Sequence, residues 1–137
     1  MQAEVFLHTA CAIALSSPNN LFHNRAVQLA GELAAGGVRL VTTRAVVLEI
    51  GNALAKQRYR QAAVKLLKAL EADSRVEILS LTEQLYEQAW CLYRERHDKE
   101  WGVTDCISFV VMQEHGLTEA LTTDEHFEQA GFRPLMR

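Results

Sequence analysis

Short β-favouring runs alternate with helical segments along the whole chain, and few architectures satisfy that pattern. Glu4–Leu7 is apolar and β-favouring, residues 38–41 and Val76–Leu79 repeat the character, and residues 119–122 close the series. Residues 9–15 read as a small-residue apolar helix, ended by the turn cluster Ser16, Ser17, Pro18, Asn19 and Asn20. Leu21, Ala26, Val27, Ala30 and Leu33 recur at helical spacing, and Gly36-Gly37 ends that helix. Thr42 or Thr43 can cap a helix over residues 44–59, and a further helix spans residues 60–72. Thr82 and Glu83 begin another that reaches about Arg96, and Thr104 can cap the next. Residues 131–135 fit a short edge strand, where Pro134 is allowed. The pattern predicts an α/β fold: a three-layer α/β/α sandwich around a mostly parallel sheet with right-handed crossovers. At 137 residues, with no internal repeat or linker, the chain is expected to form one domain over residues 1–137.

Composition narrows the class. Apolar content of 49% and charged content of 23% are ordinary for a globular protein in water. Cys11, Cys91 and Cys106 form no C-x-x-C pair, so neither a zinc site nor a disulfide framework is indicated, and reduced, buried thiols in a cytoplasm are expected. No apolar run is long enough to span a bilayer. Residues 5–15 are apolar, but Glu4 and His8 and the lack of a basic start argue against a signal peptide. The net charge of -3 conceals an asymmetry. Residues 44–75 hold seven basic residues against three acids, a net of +4, and the remainder carries −7. Such a basic region suits an acidic ligand such as RNA, although a solvated helix pair rich in Lys and Arg would look the same.

Four polar residues stand in apolar or junction settings. His8 directly follows the first strand, and Glu49 falls among Val47, Leu48, Ile50 and Leu54. Asp105 sits at the mouth of a helix whose Ile107, Phe109, Val110, Val111 and Met112 predict burial. Asp124 follows a strand and opens a short helix over residues 125–130. In a parallel sheet the carboxyl ends of the strands share one edge, and ligands bind there. Each acid alone could be no more than a helix N-terminal acid favoured by the macrodipole. Together, three converging carboxylates would repel one another and resist burial, and a divalent cation resolves that conflict. Mg²⁺ binds through one or two carboxylates plus waters and phosphate oxygens, and a metal so held activates water. The set therefore points to a metal-dependent nuclease or phosphatase. Thr9, Thr122 and Thr123 lie beside the acids and can orient a carboxylate or a metal-bound water, Thr123 being better read as a capping hydroxyl. Asn52, one turn after Glu49, either bonds it or is an ordinary helix amide. His126 reads as a packing or capping residue, and His23, His97 and His115 have no zinc-site spacing. Cys106, Trp90, Trp101, Tyr86 and Phe109 read as core, and Leu21 and Phe22 read as core in preference to part of a partner surface.

The same residues resemble a known family. Residues 5–10 (Val-Phe-Leu-His-Thr-Ala), residues 42–54 around Glu49, residues 104–109 (Thr-Asp-Cys-Ile-Ser-Phe) and residues 121–127 (Leu-Thr-Thr-Asp-Glu-His-Phe) are similar to the PIN-domain ribonucleases, which include the VapC-type toxins of bacterial toxin–antitoxin pairs. The resemblance covers nearly the whole chain. It implies a compact α/β/α fold, an acidic cluster holding Mg²⁺ or Mn²⁺, RNA as substrate and a protein antitoxin as partner. Homodimers are common in the family. By that likeness Glu49, Asp105 and Asp124 take metal and water-activating roles, with His8 at a further metal position and Thr9 and Thr122 in support.

One departure stands out. The family places Asp, then Thr or Ser, at the end of the first strand, and here the Asp position is His8. A neutral imidazole is a poor Mg²⁺ ligand and an acceptable one for Mn²⁺ or Zn²⁺. Three readings follow: an impaired enzyme, a site shifted to a softer metal, or a substitution that lets a toxic nuclease be produced. Impairment is the preferred one, and it keeps alive an alternative function, a catalytically inactive PIN-like module that binds RNA or protein. His8→Asp is accordingly expected to tighten Mg²⁺ binding and raise RNA cleavage. Unchanged metal affinity and activity in that variant would sink the idea.

Overall fold

A computed structural model describes residues 3–137. In chain order its elements are β1 Glu4–Leu7, α1 Thr9–Ser16, α2 His23–Ala35, β2 Arg39–Thr43, α3 Arg44–Ala53 and α4 Gln57–Ala72. They continue with β3 Val76–Leu79, α5 Glu83–Glu95, α6 Val103–Glu114, β4 Glu119–Leu121, α7 Glu125–Gln129 and β5 Arg133–Pro134. The five strands form one sheet in the order β3-β2-β1-β4-β5, and every pairing is parallel. β1 is the central strand, and the chain departs from it in both directions. Its Leu7 pairs with Leu121 of β4, so the residues that follow these two strands emerge side by side.

Strand periodicity assigns the two faces. Successive side chains of a strand point to opposite sides. Val5 and Leu7 accordingly join Cys11, Ala14, Ala26, Leu29 and Leu33 on the α1–α2 side. Phe6 joins Val46, Ile50, Ala89, Phe109, Met112 and Phe127 on the side of α3, α5, α6 and α7. Phe127 is fully buried and meets Phe109 edge-on with ring centroids 5.0 Å apart, and Phe109 meets Trp101 at the same distance. The result is the expected α/β/α sandwich, with a sheet parallel throughout.

Local chemistry explains the element boundaries. β2 runs on to Thr43, whose hydroxyl accepts the backbone N–H of Val46 at 3.1 Å and caps α3. The neighbouring Thr42 hydroxyl instead donates to the Leu7 carbonyl at 2.8 Å and ties β2 to β1. Thr82 caps α5 in the same manner. The helix expected over residues 44–59 stops at Ala53 and restarts at Gln57. Buried Leu54 anchors the break, and the Arg60 guanidinium satisfies the Ala55 carbonyl at 2.7 Å. Gly51 weakens the last turn of α3, and the contacts of Leu54 and Arg60 fix where the helix stops. α6 begins before Thr104, with Gly102 as its N-cap, so the expected Thr104 cap is not formed.

Several residues expected in the core are exposed. Leu21 and Phe22 lie in the turn before α2, where Asn20 Oδ1 accepts the Phe22 N–H, and Leu21 is 88% exposed. Tyr86 and Trp90 sit on the outer face of α5, while Trp101 and Phe109 are buried as expected. Cys91 is exposed as well, whereas Cys11 and Cys106 are buried. None of the helices is long and apolar enough to cross a membrane among the described residues.

The caps and the aromatic cluster set the expected stability responses. Thr43→Ala removes a capping acceptor and should cost about 1 kcal/mol. Phe127→Ala empties a close-packed position and should cost about 3–5 kcal/mol. Urea-unfolding midpoints of the two variants check this ordering.

Candidate active site

The parallel register of β1 and β4 builds the site. His8 follows Leu7 directly and occupies the N-cap position of α1 in an extended conformation, with no capping bond from its side chain. Its ring is thereby free to turn across the sheet edge toward the end of β4. There Nδ1 lies 2.8 Å from Thr122 Oγ1, and the ring packs on Phe127 at a centroid distance of 4.6 Å. Nε2 faces Asp105 Oδ1 at 3.9 Å and Glu49 Oε1 at 4.0 Å. The tautomer suited to metal binding has Nδ1–H donating to Thr122, which leaves the Nε2 lone pair aimed at the carboxylates.

Each acid reaches this point from a helix start or a helix flank. Asp105 lies in the first turn of α6, where its Oδ2 accepts the Gly102 N–H at 3.2 Å. Asp124 is the N-cap of α7, and its Oδ1 accepts the His126 N–H at 2.9 Å. Thr122 Oγ1 accepts the Asp124 N–H at 3.0 Å, so one buried hydroxyl orients both His8 and the Asp124 backbone. Glu49 stands on α3 at the rim with its side chain 40% exposed, and the Thr9 hydroxyl donates to its Oε1. All six residues singled out by sequence therefore meet at one edge.

Three of them form the tighter group. His8, Asp105 and Asp124 each offer a ligand atom, and these atoms lie within 4.8 Å of one another. Glu49 lies outside this trio and contacts it through His8. Among the described residues, neither lysine nor arginine pairs with Glu49, Asp105 or Asp124; the nitrogens that approach them are those of His8 and His126. A cluster of like charges with no fixed cation fits a divalent metal ion. One imidazole nitrogen with two carboxylates suits Mn²⁺ better than Mg²⁺, which prefers oxygen throughout.

The remaining candidates separate cleanly. His126, set aside on sequence, places Nδ1 3.1 Å from Asp105 Oδ2 and 3.4 Å from Asp124 Oδ1. Its position two residues after the α7 N-cap was the available signal, because capping folds that residue back over Asp124. Asn52 and Thr123 make no hydrogen bond to the acids. His23 Nδ1 is engaged with the Ala14 carbonyl at 2.8 Å. Cys106 is fully buried, and burial followed by the nearby Asp105 pushes its thiol up to about 11, so it is no nucleophile. In the basic stretch Arg44 pairs with Glu71 and Arg75 with Asp73, each at 3.0 Å. Among the described residues, Lys56 at the N-cap of α4 and Arg58, Arg60, Lys65 and Lys68 within it form no ion pair, Arg60 bonding the Ala55 carbonyl and Arg58 lying over the Tyr59 ring.

A family model described as the PIN domain matches residues 5–133. The chain belongs to the PIN domain family. It is also 28% identical over 128 residues to a protein named 23S rRNA-specific endonuclease VapC20, found in two strains of Mycobacterium tuberculosis. That match covers 93% of this chain and 95% of the relative. The crystal structure of Mycobacterium tuberculosis VapC20, described as a Sarcin-Ricin loop cleaving toxin, superposes with a TM-score of 0.82 over the same shares of the two chains. The family model thus spans all four positions that carry His8, Glu49, Asp105 and Asp124.

Burial pushes the His8 imidazole below its ordinary value, even though Asp105, Glu49 and Asp124 pull it upward. The folded metal-free protein therefore resists a proton that the unfolded chain takes up near pH ~6.5. Stability linked to His8 is complete above that pH and is lost as pH falls toward the lower folded value. Urea unfolding of chelator-treated protein between pH 8 and pH 5 should show this loss, and His8→Asn should flatten it. An equal slope in the two proteins would refute the assignment.

Proposed function

We propose that this chain is a metal-dependent endoribonuclease that cuts RNA phosphodiester bonds, acting as a single unit and as the toxin of a type II toxin–antitoxin pair in a cytoplasm. The observation that carries the reading is the convergence of His8, Asp105 and Asp124 at the sheet edge, with Glu49 at its rim. The family membership and the likeness to an rRNA endonuclease support it. The substrate is then RNA, and the partner is a protein antitoxin that restrains cleavage.

His8 Nε2 and the carboxylates of Asp105 and Asp124 would hold Mn²⁺ or Mg²⁺, with Mn²⁺ the better match to the imidazole. Such an ion would supply Lewis acidity and would lower the pKa of bound water. Thr122 fixes the His8 ring, and Thr9 fixes Glu49 through Oε1. That leaves Glu49 Oε2, on a partly exposed side chain, to orient the attacking water and accept its proton. The water oxygen bonds to phosphorus as the bond to the leaving ribose oxygen breaks, and that oxygen takes its proton from solvent at this open edge. The unpaired cations of α4 lie on the helix following α3, which carries Glu49, and they offer charge for the RNA backbone.

His8 favours one competing reading, a catalytically inactive module that binds RNA or protein through the same fold. Cleavage of a structured RNA with Mn²⁺ and with Mg²⁺ separates the two. The ribonuclease reading expects cutting by this protein, faster with Mn²⁺, and a loss of at least ~100-fold in Asp105→Asn, as for removal of a metal ligand. Binding of RNA without cleavage under either ion would favour the module instead.

A further inference from the structure

His126 touches both inner carboxylates, yet it is not one of the trio whose ligand atoms converge. Its Nδ1 lies 3.1 Å from Asp105 Oδ2 and 3.4 Å from Asp124 Oδ1. Both neighbours are carboxylate oxygens, which only accept, so Nδ1 must carry the proton in this arrangement. The two contacts fall on oxygens that are already held from behind. Asp105 Oδ2 also accepts the Gly102 N–H, and Asp124 Oδ1 also accepts the His126 backbone N–H. The opposite oxygen of Asp105, Oδ1, is the one that faces His8 Nε2 at 3.9 Å. Asp124 Oδ2 has no hydrogen-bond or ion-pair partner among the described residues. His126 thus engages one oxygen of each acid and leaves the other for a ligand.

Two facts make this more than a surface contact. The side chains of Asp105 and His126 are 13% and 24% exposed, so water screens the contact only in part. The two acids also come from separate elements, α6 and α7, which no strand pairing joins directly. The Nδ1–H donates to Asp105 Oδ2 and lies 3.4 Å from Asp124 Oδ1, so one imidazole edge stands against both acids. Groups that hydrogen-bond the back of a ligand in this way set its orientation and basicity.

We propose that His126 is a positioning residue of the metal centre, clamping Asp105 and Asp124 so that Asp105 Oδ1 and Asp124 Oδ2 are presented together with His8 Nε2 to a divalent cation. The inference rests on the metal-centre reading above and adds a residue to it. It assigns no proton transfer to His126.

The test is Mn²⁺ binding by titration calorimetry to chelator-stripped protein, with no RNA present. The variants are His126→Phe, which keeps a ring without a donor, His126→Ala, and His126→Asn, whose amide can donate from a position close to Nδ1. Phe and Ala should weaken Mn²⁺ binding about 10- to 100-fold, and Asn should recover most of the loss. RNA kinetics at saturating Mn²⁺ should show the same order in kcat, with KM for RNA little changed. The metal-free melting temperature identifies folded variants, and Asn against Ala carries the comparison should Phe fail to fold. Wild-type affinity in a folded donor-free variant overturns the proposal, as does an Asn variant no better than Ala. Tight Mn²⁺ binding without RNA cleavage would remove the ribonuclease reading and leave the clamp standing. No Mn²⁺ binding by the unaltered protein at millimolar concentration would overturn both.

Discussion

Three carboxylates converge on a buried imidazole, and among the described residues neither lysine nor arginine pairs with them; this electrostatic conflict organises the carboxyl edge of the sheet. Like charges at such separations resist joint burial. The fold nevertheless brings them together, because each is tied to an element whose place is set by the core. Asp124 caps α7, Asp105 occupies the first turn of α6, and Glu49 projects from α3. α6 and α7 pack around Phe109 and Phe127, which holds both helix starts in place. Hydrogen bonds from Gly102, His126 and Thr9 spread part of the remaining charge.

The parallel sheet makes this possible. With β1 central and β2 and β4 on either side, the chain turns outward from β1 in two directions. The crevice beyond the carboxyl ends of β1 and β4 lies at that reversal, where open α/β sheets bind ligands. The Leu7–Leu121 register places His8 beside Thr122, and the residues after β4 deliver Asp124. A shift of one residue would invert the faces of β4 and pull Thr122 out of reach of His8.

His8 gives this member of the family a distinct chemical character. The resemblance read from the sequence puts a carboxylate where this chain has an imidazole, packed on Phe127 and bonded to Thr122. Burial keeps the ring neutral, so the cluster carries one charge fewer than three acids and an Asp would have. The centre becomes softer and less repulsive, which suits a metal that accepts nitrogen. His126 adds a second imidazole at the back of the acids, so the electrostatics rest on histidines rather than on lysine or arginine.

Much of this was legible in the order of residues. Strand and helix alternation carries the α/β class, because periodicity is a local property that side-chain burial enforces directly. His8, Glu49, Asp105 and Asp124 stood out because polar residues at apolar junctions are costly and need a reason. The break between α3 and α4 was not read from the sequence, since Gly51 is only a weak signal and the stop depends on burial of Leu54 and on the Arg60 bond to Ala55. Tyr86, Trp90, Leu21 and Phe22 read as core and proved exposed, because helical spacing shows that a face is apolar without showing what covers it. His126 was passed over for the same reason: its partner Asp105 is 21 residues away. Local sequence settles what a segment tends to form and which residues are out of place. Which oxygen of Asp105 faces His8, and which donor stands behind the other, depends on contacts between distant segments that only the packed structure creates.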